Sequence, residues 1–128
     1  MRYLLDTNVL IEAVGGVVEA IRALQEAAEA EWAGYSAITR IEMFGYPQLT
    51  DQEEQALAAV VAEFEEVSVD ATIVDKTITL RKAGRIKMPD AIIAATALES
   101  QATLITRNAD DFKKIENLEI MNPFEVPS

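Results

Sequence analysis

Three acidic residues interrupt stretches that are otherwise mostly apolar. Asp6 closes Tyr3-Leu4-Leu5 and is followed by Thr7-Asn8-Val9-Leu10-Ile11; Glu42 lies within Ile38–Phe44; Asp90 lies within Met88–Ile93. A charge in such a setting has to be paired, hydrated or bound to a metal. Carboxylates gathered without a cation repel, and at least one tends to stay protonated. A divalent ion removes that cost, polarises a phosphoryl oxygen and lowers the pKa of a bound water. The chemistry implied is hydrolysis of a phosphodiester by a metal-activated water, with no covalent nucleophile. Each acid also has an ordinary structural use. Asp6 can cap a helix, Thr39-Arg40-Ile41-Glu42 fits a capping box, and Asp90 follows Pro89 in a first helical turn, where the dipole favours a carboxylate.

What must hold these residues together is a strand–helix frame. Tyr3–Leu5 reads as a short buried strand, and the segment after Asn8 as a helix to Val14, stopped by Gly15-Gly16. A second helix presents Val17, Ile21, Leu24 and Ala28 on one face. Ala33–Ser36 is a strand, and Ser36 or Thr39 can cap the helix bearing Glu42, which Gly45-Tyr46-Pro47 ends. Thr50-Asp51-Gln52-Glu53 opens a helix with Leu57, Val60, Val61 and Phe64 inward. Val67–Val69 is a strand candidate, followed by a helix through Ile73, Thr77 and Leu80. Asp90 opens an apolar helix to about Ser100, Ala102–Thr106 is the clearest strand, Asp110–Ile115 a short helix and Leu118–Met121 a last strand. Alternating strands and helices imply a mostly parallel sheet with helices on both faces. In that architecture the carboxyl ends of the strands form the ligand-binding edge. All three acids stand at or near strand-to-helix junctions or first helical turns, so they can share it.

Composition narrows the chemistry further. The 128 residues suit one domain, spanning 1–128, and half are apolar, which argues against disorder. No stretch reaches the length of a membrane span, and Asp6 breaks the opening apolar run before it could serve as a signal peptide, so a cytoplasmic protein is expected. There is no cysteine and no histidine. That excludes disulfides, thiolate sites, imidazole catalysis and the common zinc sites. Any catalytic metal is held by oxygen, which favours Mg²⁺ or Mn²⁺. The net charge of −11 opposes nucleic-acid binding. Its distribution does not. Between Glu12 and Glu66 only Arg22 and Arg40 are basic, whereas Lys76 to Lys114 holds eight basic residues. A local patch can coexist with a negative total, although a solvated helix face accounts for the same residues.

Thr106-Arg107-Asn108-Ala109-Asp110-Asp111-Phe112 follows the clearest strand, so it too lies at a carboxyl end. Asn108 offers a neutral oxygen, and Asp110 and Asp111 offer charge or a helix cap.

With these segments in place the sequence resembles the PIN-domain family, and within it the VapC-type toxins of toxin–antitoxin modules. Four blocks carry the resemblance, in the family's order: Leu4–Ile11, Ser36–Glu42, Pro89–Ala97, and Leu104–Asn108 with Asp111-Phe112. It implies a three-layer α/β/α domain and a Mg²⁺- or Mn²⁺-dependent endoribonuclease. Asp6, Glu42 and Asp90 match the family's first three acidic, metal-holding positions, Thr7 and Asn8 the residues that brace the first, and Thr106 a hydroxyl near the site. The fourth acidic position is occupied by Asn108, with Asp111 three residues on as its substitute. One well-held metal and a weaker second are the consequence expected. The resemblance also implies a homodimer, an RNA substrate and a cognate antitoxin whose C-terminal segment reaches the acidic pocket. The N-terminal helices, with Trp32 and Phe44 nearby, offer an apolar groove for it, and the acidic N-terminal half suits a basic antitoxin tail.

Three alternatives stand beside this reading. A PIN domain that has lost turnover and only binds RNA or protein is supported by Asn108 and opposed by Asp6, Glu42 and Asp90. A phosphoacceptor receiver has similar length and acidity but needs an acidic pair after the first strand, where this chain has Asp6-Thr7-Asn8. A haloacid-dehalogenase-type phosphatase fails similarly, since its second aspartate falls at Asn8.

Overall fold

The computed structural model describes residues 1–125. Five strands, β1 (Arg2–Leu5), β2 (Trp32–Ser36), β3 (Glu65–Val67), β4 (Thr103–Ile105) and β5 (Ile120–Met121), form one sheet in the order β3-β2-β1-β4-β5. Every pairing is parallel. Parallel neighbours require crossovers, and these are supplied by α1 (Thr7–Val14), α2 (Val18–Ala28), α3 (Ala37–Phe44), α4 (Asp51–Val61), α5 (Ala71–Ala83), α6 (Met88–Glu99) and α7 (Ala109–Phe112). The chain winds outward from β1 to β3, then returns to the other side of β1 as β4. The strand order therefore reverses between β1 and β4, which is where open α/β sheets leave a crevice.

Alternation along β1 divides the core. Tyr3 and Leu5 join Val9, Leu10, Ala20, Ala23, Ala27, Met43, Leu57 and Val61 on one face of the sheet. Leu4 joins Ile93, Ala94, Ala97, Leu104 and Phe112 on the other. Side chains of successive strand residues point to opposite faces, so β1 contributes to both layers of the core. Three layers result, as the fold class expected.

Local chemistry sets the element ends. Thr50 accepts from Glu53 N at 3.1 Å while Glu53 accepts from Thr50 N at 3.0 Å, completing the capping box that opens α4. Asp70 caps α5 by accepting from Ile73 N. Gly34 is required by a close approach. A Cβ there would lie 2.6 Å from the Glu65 carbonyl oxygen and from the Trp32 ring, where β2 pairs with β3.

Three elements depart from the sequence expectation. The third strand is Glu65–Val67, not Val67–Val69, because Ser68 to Asp70 form the turn that caps α5. On α2 the buried stripe is Ala20, Ala23 and Ala27 with Leu24 beside it, while Ala28 is exposed. The small side chains let α2 pack close against α1 and β2. Phe64 lies beyond the end of α4 and reaches the core from the following turn.

Candidate active site

The reversal between β1 and β4 is bridged by Asp6. Its backbone N–H donates to Ile105 O at 3.0 Å, continuing the β1–β4 ladder by one bond. Its carboxylate is buried, and both oxygens are held: Oδ1 accepts from Thr7 N at 2.8 Å, and Oδ2 accepts from Thr106 Oγ1 at 2.6 Å. Asp6 is therefore the cap of α1 and also a fixed charge at the crevice.

Glu42 is reached through Thr7. The Thr7 hydroxyl donates to Glu42 Oε1 at 2.8 Å and lies 3.0 Å from the buried Thr39 hydroxyl. The expected capping box at Thr39 is absent. Ser36, fully buried at the end of β2, caps α3 instead by accepting from Ile38 N at 3.2 Å. Thr39 thereby turns inward, and Glu42, one turn later on the same face, points to the crevice. Thr39, expected only as a cap, is instead buried against Thr7 beside Glu42. A hydroxyl on the Glu42 face was the only signal of this in the sequence.

Asp90 stands in the first turn of α6, half-buried, where Pro89 removes a backbone donor that would otherwise need a partner. Its pKa is raised above the free aspartate value, first by burial and then by the negative charges of Asp6, Asp111 and Glu42, against which Lys87 acts. Asp6 is also raised: burial dominates, the hydrogen bonds from Thr106 and Thr7 oppose it, and Glu42 and Asp111 add to it. The four carboxylates thus lie within one another's field.

A PIN-domain model matches residues 3–118. The chain belongs to the PIN-domain family. Its fold is similar to that of a toxin–antitoxin complex from Klebsiella pneumoniae, at 34% identity and a TM-score of 0.81, covering 97% of this chain and 99% of that one. It is similar also to VapBC2 from Rickettsia felis, solved bound to a DNA fragment from its promoter, at 26% identity and TM-score 0.82 over 95% and 98% of the two chains. VapBC-1 from nontypeable Haemophilus influenzae matches at 27% and 0.78 over 98% and 100%. No curated protein sequence matches.

In this PIN domain Asp111 lies near the three acids, and its charge acts on both Asp6 and Asp90. Asn108 is exposed. Its backbone N–H donates to Thr106 Oγ1 at 3.0 Å, its carbonyl accepts from Asp111 N, and its side chain makes no cap bond to α7. Asn8 is exposed on α1 beside Thr7. Asp110 is exposed and pairs with Lys113.

The donor set fits a hard divalent cation: it is all oxygen and carries surplus negative charge that only a cation offsets. Among the described residues no three acidic side chains already form a group able to grip an ion. Asp6 and Glu42 are restrained by hydroxyls, whereas Asp90 and Asp111 belong to separate helices, α6 and α7.

The apolar groove expected near Trp32 and Phe44 is divided by the sheet. Trp32 packs with Leu4 and Ile93, donates its indole N–H to Glu65 and lies under Arg2. Phe44 packs on the opposite face and, with Ile41, Val61 and Phe64, lines a groove of about 820 Å³ between α3 and α4. Of these two aromatic residues, Phe44 is the one that lines this groove.

Proposed function

We propose that this PIN domain is a VapC-type toxin, a divalent-metal-dependent endoribonuclease that hydrolyses RNA phosphodiester bonds. The observation that carries the reading is the hydrogen-bonded chain Thr106–Asp6–Thr7–Glu42, which fixes two carboxylates at the crevice beside Asp90 and Asp111. Asp6, Glu42 and Asp90 would hold the principal Mg²⁺ or Mn²⁺, and Asp111 a weaker second ion. When bound, the ion supplies Lewis acidity to the phosphoryl oxygen and makes water a stronger acid at neutral pH.

The protein's own groups do the rest. Thr106 and Thr7 orient Asp6 so that its lone pairs face the crevice, and Thr7 holds Glu42 at a fixed distance from it. Such preorganisation costs no rearrangement at the moment of reaction. RNA would approach along Arg81, Lys82, Arg85 and Lys87, which lie between the last turn of α5 and the start of α6. All four are exposed, and the ion pairs among the described residues take Arg2, Arg40, Lys76, Arg107 and Lys113 instead. Lys87 is close enough to act on the charge of Asp90, so this basic stretch ends at the site. Binding there neutralises phosphates locally although the whole chain is acidic.

The structural neighbours are complexes of a toxin with its antitoxin, and a cognate antitoxin for this chain belongs to the proposal. Its apolar segment would occupy the groove beside Phe44, with a basic tail directed at the four carboxylates. Assembly as a homodimer is proposed with it; exposed Val74 and Ile78 on α5 supply apolar surface for a second copy. The described helices include none long and apolar enough to cross a membrane.

Incubating the purified protein with a mixed-sequence RNA, with Mg²⁺ or Mn²⁺ and then with EDTA, tests the reading. Cleavage that appears with metal and stops with chelator is the result expected. RNA retained on the protein but never cut, with any metal, would favour the binding-module alternative.

A further inference from the structure

Arg107 is the hub of a clasp that nothing in the chemistry above uses. It directly follows Thr106 and directly precedes Asn108, in the loop that leads to Asp111. Its Nε donates to both carboxylate oxygens of Glu12, at 2.8 and 3.1 Å. Its guanidinium carbon lies 3.8 Å from the centroid of the Phe124 ring. Its backbone carbonyl accepts from Asn122 Nδ2 at 3.2 Å, and the same Asn122 side chain accepts from Phe124 N at 2.9 Å. One residue earlier, Thr106 N donates to Met121 O at 3.0 Å.

These contacts join three separate parts of the chain at one point. Glu12 sits on α1 one turn beyond Asn8, so the ion pair ties the loop to the helix that begins at the site. Asn122 and Phe124 belong to the segment after β5. The loop held between them carries Thr106, whose hydroxyl grips Asp6 and also accepts from Asn108 N.

We infer that Arg107 and Phe124 are positioning residues: the segment Asn122–Phe124 clamps the β4–α7 loop so that Thr106 holds Asp6 and Asp111 faces the crevice. The inference rests on the reading of the four carboxylates as a metal site, but the clamp itself is a mechanical claim about the loop. An exposed ion pair alone contributes little. A guanidinium held over a ring while its Nε–H is shared between both oxygens of a carboxylate makes two contacts in one placement and is more persistent. Phe124 is also partly buried against the sheet, and an aliphatic side chain of similar bulk would satisfy that packing. Only an aromatic face satisfies Arg107.

The test is amide hydrogen exchange in the intact chain, read at Asn108 and Asp111, whose N–H groups close the loop. Phe124→Leu and Arg107→Gln should each speed exchange there by about tenfold, whereas Phe124→Trp should restore protection. Mn²⁺ affinity, measured by calorimetry, should fall and recover in the same order. Wild-type exchange in both Phe124→Leu and Arg107→Gln would overturn the clasp. So would acceleration spread evenly over all elements, which would mark a loss of global stability. If the wild-type protein bound no Mn²⁺, the metal reading would fall, and the exchange data would still decide whether Arg107 and Phe124 hold the loop.

Discussion

The raised pKa of Asp90 has a consequence for stability. Burial and the neighbouring charges of Asp6, Asp111 and Glu42 make the folded, metal-free protein hold this proton to higher pH than the unfolded chain does. Stability from such a group is fully present below the unfolded pKa and is lost as pH rises through the folded one. At neutral pH the ionised Asp90 is therefore a net cost without a cation, reduced by its partial exposure to water. Asp90→Asn, which stays neutral, should melt higher than wild type in EDTA, by ~3 °C or roughly 1 kcal/mol. Added Mn²⁺ should raise the wild-type melting temperature and leave the variant nearly unmoved. A thermal scan of both proteins with and without metal checks both halves. For the same reason protons should compete with Mn²⁺ for the site, so that its affinity falls as pH drops, starting above the pH range of a free aspartate.

Two helix caps separate structural from functional duty. Thr50 caps α4 through an exposed capping box, remote from the crevice, whereas Ser36 caps α3 from within the core and fixes the direction of Glu42. Each cap replaced by Ala should cost about 1 kcal/mol in denaturant unfolding. Thr50→Ala should keep full cleavage, and Ser36→Ala should lose about tenfold, since Glu42 then drifts from Thr7. Equal activities would show that the placement of Glu42 does not depend on its cap. The capping box at Thr50 was readable because its two partners, Thr50 and Glu53, lie only three residues apart in sequence. The cap of α3 was not. Ser36 and Thr39 are both competent by type, and only the burial of Thr39 against Thr7, 32 residues away in sequence, selects between them. The third strand was misplaced for a similar reason, because its end is set by the Asp70 cap and by its pairing with β2 across Gly34.

At the scale of the molecule, the alternation of strands and helices and the isolated acids made the class and the crevice legible, while the order β3-β2-β1-β4-β5 depends on pairings that no local pattern encodes. The uneven placement of charge was legible too, and it yields a prediction. Arg85→Gln with Lys87→Gln should weaken RNA binding and lower the slope of log affinity against log salt by about one per phosphate contact removed. An unchanged slope would mean that these side chains are merely solvated. The central claim is that Asp6, Glu42 and Asp90 jointly hold the metal that cleaves RNA. Its most direct test is RNA cleavage by wild type and Asp90→Asn, side by side, in Mn²⁺. The account predicts metal-dependent cleavage that the substitution reduces by at least about a thousandfold while the variant stays folded. Cleavage by Asp90→Asn at the wild-type rate would contradict it.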